Sequence, residues 1–102
     1  MELADVSRIA LAMEGVRESS VKGRLRWSLS GRLVARALDD SSIVIRSGFA
    51  EREELLAAHP TTFFVPPTYD AHMMVVARLS EGDAAAIEAA IHAAWELQAS
   101  AE

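Results

Sequence analysis

The chain carries ten cations, nine arginines and one lysine, and six of them fall between Arg17 and Arg36. Arg17, Lys22, Arg24, Arg26, Arg32 and Arg36 meet one acid in that stretch, Glu18, so the segment holds +5 while the whole chain holds −5. The rest of the molecule has four basic and fourteen acidic groups. A guanidinium is a planar fork of donors that matches a phosphate or carboxylate. Arginines at alternate positions of a strand would therefore hold an anion, and Lys22, Arg24, Arg26, Arg32 and Arg36 are the candidate anion- or nucleic-acid-binding residues. Phosphate contacts of this kind make binding weak and salt-dependent. The plain alternative is that the arginines pair with the surplus acids of the chain or with a second subunit and only solvate a sheet face. The net negative charge and the lack of aromatics between the arginines both count against nucleic acid.

Other reactive residues are scattered. Glu88, His92 and Glu96 recur every four residues on the last helix, but Ile87, Ile91 and Trp95 mark its buried side, so the trio reads as a solvated face and not a metal site. His59 precedes Pro60, at a helix end where a cation is favoured. Asp39-Asp40-Ser41 reads as a turn. The segment from Val65 to His72 could border a small pocket, with Tyr69 and His72 at its edge and the Tyr69 hydroxyl reaching solvent. There is no cysteine, no glycine-rich phosphate loop, no Gly-x-Ser-x-Gly and no His-Glu-x-x-His. The expectation is a binding module and not an enzyme, with no cofactor and no metal.

These residues need elements to hold them. Leu3, Val6, Ile9, Ala10 and Met13 predict a short helix ended by Gly15, with Leu11 off its apolar stripe. Leu25, Trp27 and Leu29 alternate with Arg24, Arg26 and Ser28, as a strand does. Leu33, Ala35 and Ala37 alternate in the next strand, after Ser30-Gly31. A three-residue loop ending in Gly31 pairs Arg26 with Val34 and Arg24 with Arg36, leaving Leu25, Trp27, Leu33, Ala35 and Ala37 on the other face. Ile43-Val44-Ile45 is a third strand, and Phe49 to His59 is a helix with acids in its first turn. Phe63-Phe64-Val65 and Met73 to Leu79 are further strands. The last helix begins at an Asp83 cap and carries the stripe Ile87, Ala90, Ile91, Ala94 and Trp95. The order α-β-β-β-α-β-β-α predicts an α+β two-layer sandwich, a largely antiparallel sheet with helices on one face.

Length allows one domain, residues 1–102, and the 51% hydrophobic and 25% charged composition suits a packed core. Glu2 and Asp5 stand where a signal peptide would be basic, and no run approaches the ~20 apolar residues of a membrane span. A cytoplasmic protein without membrane attachment is expected.

In order along the chain, Gly15-Val16, Gly31-Arg32-Leu33-Val34-Ala35-Arg36 and Glu51-Arg52-Glu53-Glu54-Leu55-Leu56 form a recognisable series. It continues with Pro60-Thr61-Thr62-Phe63-Phe64-Val65, Pro67-Thr68-Tyr69 and Met74-Val75-Val76-Ala77-Arg78-Leu79. This series resembles the MmcQ/YjbR-like proteins of bacteria. It departs from them at Glu14, where they have proline, at Arg32 and Val34, where they have lysine and phenylalanine, and near Met73, where an aromatic is missing. The resemblance implies a two-layer fold like that of type III secretion chaperones and a role that is largely uncharacterised, with DNA binding suggested from shape. Two functions are thus expected: a DNA- or other anion-binding module using the basic hairpin, or a homodimeric or chaperone-like protein-interaction module, meeting its partner through the sheet face or the Leu11 edge.

Overall fold

Two tight turns set the course of the N-terminal half. In a computed structural model, which describes residues 1–101, Lys22-Gly23 and Ser30-Gly31 each place two successive residues at positive φ (52° and 78°, 52° and 79°). Two left-handed residues in a row make the hairpin turn whose twist matches that of the flanking strands. The turns join β1 (Val16–Val21), β2 (Arg24–Leu29) and β3 (Arg32–Asp39), and β4 (Ser42–Arg46) follows. Before them lies α1 (Leu3–Leu11), and after them come α2 (Phe49–Ala58), β5 (Phe63–Phe64), a 3₁₀ turn at Pro67–Tyr69, β6 (Met74–Arg78) and α3 (Ala84–Ala99). The six strands form one antiparallel sheet in the order β1-β2-β3-β4-β6-β5.

The α+β two-layer expectation holds, with one strand more than expected. The additional strand, β1, has almost no periodicity to mark it in the sequence: Val16 and Val21 are its only apolar residues, and five of its six positions are exposed. As the outer strand it buries little of either face. The Lys22-Gly23 pair was the signal available for it.

The β2–β3 connection also differs. The loop has two residues, with Leu29 opposite Arg32, and not three. Beyond Ser28–Leu33 the register shifts, so that Trp27 meets Ala35 and Arg26 meets Arg36. The extra residue, Val34, is fully buried in the core with Trp27 and Ala35. A bulge inserts one residue without a partner and re-aims those beside it. Here it restores to the strand body the face pattern that a two-residue loop alone would have inverted. The expected partner of Arg26, Val34, is thereby replaced by Arg36, and Leu33, placed with the core from sequence, shares the side of Ser28 instead.

The helices lie on one face. α1 and α3 cover β1 to β4, while α2 lies over β5 and β6. Val6, Ile9, Ala10, Trp27, Ala35, Ile43, Ile45, Phe63, Val75, Ala77, Ile87, Ile91 and Ala94 form the core between the layers. Burial of each large side chain contributes roughly 1.5–3 kcal/mol. Trp27, with no exposed surface, donates its Nε1 to Glu18 at 2.7 Å. Asp83 caps α3 by accepting from the Ala86 amide at 3.0 Å. Among the described residues no helix is long and apolar enough to cross a membrane.

Candidate anion-binding face

Strand alternation assigns every other residue to the side away from the helices. The ladders align Ser19, Arg26, Arg36, Val44, Val76 and Phe64 in one row across all six strands. Two residues to either side on the same strands, Arg17, Arg24, Arg46 and Arg78 join that face. Six of the nine arginines therefore share it. The acid at a strand position on that side is Asp39, the last residue of β3 and opposite Ser42. Its carboxylate accepts from the Ser41 amide at 2.9 Å and the Ser42 hydroxyl at 2.8 Å. Those two bonds, the Ser42 hydroxyl first, hold its pKa below the ordinary aspartate value.

Of the five sequence candidates, the fold gathers four. Lys22, Arg24, Arg26 and Arg36 line a concavity of about 360 Å³, together with Val21, Leu25, Ala37 and Leu38. Basic groups thus stand around an apolar floor, in a volume at the lower end of small-ligand sites. Arg24 has an acid partner, Asp40, at 3.3 Å. That carboxylate is fully exposed, so the pair adds little. No other arginine of this face forms an ion pair among the described residues. Arg32 does not join them. Across the turn from Leu29, it points to the helix layer and donates to the Ala101 carbonyl at 3.0 Å. The bulge is the reason, because Arg32 and Arg36 lie on opposite sides of the register shift.

Aromatics reach this face from parts of the chain that the hairpin pattern does not include. Tyr69, on the 3₁₀ turn, accepts a hydrogen bond at its hydroxyl from Arg36 Nη2 at 2.7 Å, and its ring centroid is 5.7 Å from the guanidinium carbon. Its hydroxyl meets an arginine, not solvent alone as expected. Arg78 stacks 4.1 Å over Phe64 and donates to the Thr61 carbonyl at 3.3 Å. Val44 and Val76 lie fully buried in the row between Arg36 and Phe64. The expectation that no aromatic accompanies the arginines is corrected on this point. His72, the other proposed pocket-edge residue, is exposed and contributes its backbone carbonyl to Arg52 instead.

Arg52 was not singled out from the sequence and proves to be a structural centre. Only 6% exposed, it donates to the carbonyls of Tyr69, Asp70, His72 and Met74 at 2.8–3.4 Å and lies 4.9 Å from the Phe49 ring centroid. It pins the loop that presents Tyr69. A charged residue inside an acidic helix motif gave one weak signal, since arginine is rarely buried without partners.

On the other layer, Glu88, His92 and Glu96 lie on the exposed side of α3 beside Ala85, Ala89 and Ala93. His92 Nε2 is 3.9 Å from Glu88. Asp39-Asp40 sits in the β3–β4 turn. Glu51 on α2 has its pKa raised, first by burial and then by the charges of Glu54 and Glu96. The side of the sheet away from the α-helices therefore carries six arginines, with Val44 and Val76 fully buried at its middle, while α2 and α3 carry acids.

The chain matches no family model, no curated protein and no solved structure.

Proposed function

We propose that the protein is a binding module and not an enzyme, that it takes phosphate-bearing polyanions, and that nucleic acid is the ligand class. The observation that carries this reading is the concavity in which Lys22, Arg24, Arg26 and Arg36 converge, with Asp40 the one acid among the described residues paired to any of them. Arg26 and Arg36 face each other directly across the β2–β3 ladder. Like charges so placed cost a sheet roughly 0.2–1 kcal/mol, which a shared anion relieves. The likeness of the chain's motifs to those of MmcQ/YjbR-like proteins, for which DNA binding has been suggested, is in keeping with it. Tripolyphosphate and a labelled DNA duplex at about 50 mM salt test the reading, since phosphate contacts are strongest at low ionic strength. Binding should fall steeply with added salt and vanish in the Arg26→Glu/Arg36→Glu double variant. Absence of binding by the unaltered protein to both probes would sink it.

A second reading, a homodimer, draws on the sheet edges. β5 is two residues long and is followed by Val65-Pro66-Pro67, which blunts that edge, whereas β1 leaves the outer edge of a six-residue strand free, with Val21 52% exposed. Light scattering at high concentration should give twice the chain mass. A monomer throughout would exclude pairing through β1.

A further inference from the structure

The basic concavity occupies one end of a larger surface. Arg46 and Arg78, far from the hairpin in sequence, extend the positive charge over β4 and β6, and Arg17 extends it over β1. The row from Ser19 to Phe64 crosses five interstrand gaps of about 4.8 Å, or about 24 Å in all. Along it stand two ring–guanidinium contacts: Arg78 stacks 4.1 Å over Phe64, and Arg36 donates to the Tyr69 hydroxyl with its guanidinium carbon 5.7 Å from the ring centre. The α-helices pack against the other side of the sheet; on this side the 3₁₀ turn brings Tyr69 to Arg36, and Val44 and Val76 at the middle of the row are fully buried.

From this arrangement we infer that the ligand is a single-stranded nucleic acid lying across the strands, from the concavity at Lys22 and Arg26 to the Phe64–Arg78 stack. The inference rests on the anion-binding reading and narrows it. A single strand shows both its phosphates and the faces of its bases, and bases stack on aromatic rings or on guanidinium planes. A duplex hides its base faces and would leave the Phe64–Arg78 stack and the Tyr69 ring unused. Sequence-independent single-strand sites pair a basic track with stacking side chains, and about four nucleotides is the lower end of their size. The arginines carry charge complementarity along the row, and the acids lie at one edge of it, Asp39 and Asp40 in the β3–β4 turn and Glu81 lining the same recess as Phe64 and Arg78. A bound strand would therefore run across the row and away from the β3–β4 turn. An acidic peptide shares the charge but supplies few planar groups for the rings and guanidinium planes.

Anisotropy with a labelled oligothymidylate of about twelve nucleotides, set against the same length of duplex, tests this at about 50 mM salt. The single strand should bind about tenfold more tightly. Phe64→Leu, which keeps an apolar side chain but removes the ring, and Arg78→Gln should each weaken the single strand about tenfold. Circular dichroism and the melting temperature establish that each variant is folded. Equal or tighter binding of the duplex would overturn the inference, as would variants that are folded and bind the single strand normally. Loss of tripolyphosphate binding in the unaltered protein would instead bring down the anion-binding reading beneath it. An acidic peptide that competes as well as the oligonucleotide would place the specificity in charge alone and equally overturn the proposal.

Discussion

At the scale of single residues, the site depends on a side chain that does not face it. Arg52 satisfies four backbone carbonyls of the loop 69–74 from inside the fold, and Tyr69 on that loop meets Arg36 on the open face. Each buried carbonyl left without a donor costs about 1–3 kcal/mol. Arg52→Leu should therefore destabilise the protein by about 2–4 kcal/mol, allowing for relaxation of the loop. Urea denaturation measures that loss, and a change under about 0.5 kcal/mol would mean that the carbonyls find other partners. Little of this was legible in the sequence, where Arg52 is one charge among three glutamates in an acidic helix. Its burial follows from the return of the loop after β5, which no local pattern announces.

At the scale of elements, the hairpins decide which arginines act together. Ser30 and Lys22 hold left-handed backbone in turns that favour Asn-Gly. Ser30→Asn keeps the turn and suits its first position better, so it should raise stability by about 0.5 kcal/mol. Thermal melting reads the gain; an unchanged or lower midpoint would show that the turn is not limiting. The alternation of Arg24 and Arg26 with Leu25 and Trp27 was enough to put these arginines opposite the core. The bulge at Val34 was not legible, because its sequence, Leu-Val-Ala, continues an apolar run with no break. It moved Arg32 to the helix side and kept Arg36 with Arg26, two outcomes that simple pairing could not produce together.

At the scale of the whole molecule, six arginines share one side of the sheet while five acids stand on α2 and α3. Glu51 feels its neighbours among them: its carboxyl is pushed up by burial and by Glu54 and Glu96, against the pull of its own helix N-terminus. A carboxyl whose folded pKa is raised keeps its proton where the unfolded chain has lost it. Its favourable contribution is thus present below the ordinary glutamate value and is lost as pH rises through the folded one. Glu51→Gln should raise the melting temperature at pH 7 and make no gain near pH 4. A constant difference across that range would show that the effect is not titration. The same separation of charge would steer an anion to the sheet and away from the helices.

The sequence alone determined the parts of this picture that depend on near neighbours. It contained the cluster of cations from Arg17 to Arg36, the helix stripes, the hairpin at Ser30-Gly31 and the two-layer α+β class, because charge counts, helical period and strand alternation are local. Only the tertiary structure decided the composition of the face. Arg46, Phe64, Tyr69 and Arg78 arrive from later segments by strand pairing and a loop return, while Arg32 leaves by a one-residue shift in register. Pairing across a sheet is long-range, and one inserted residue changes the side on which every later side chain lies.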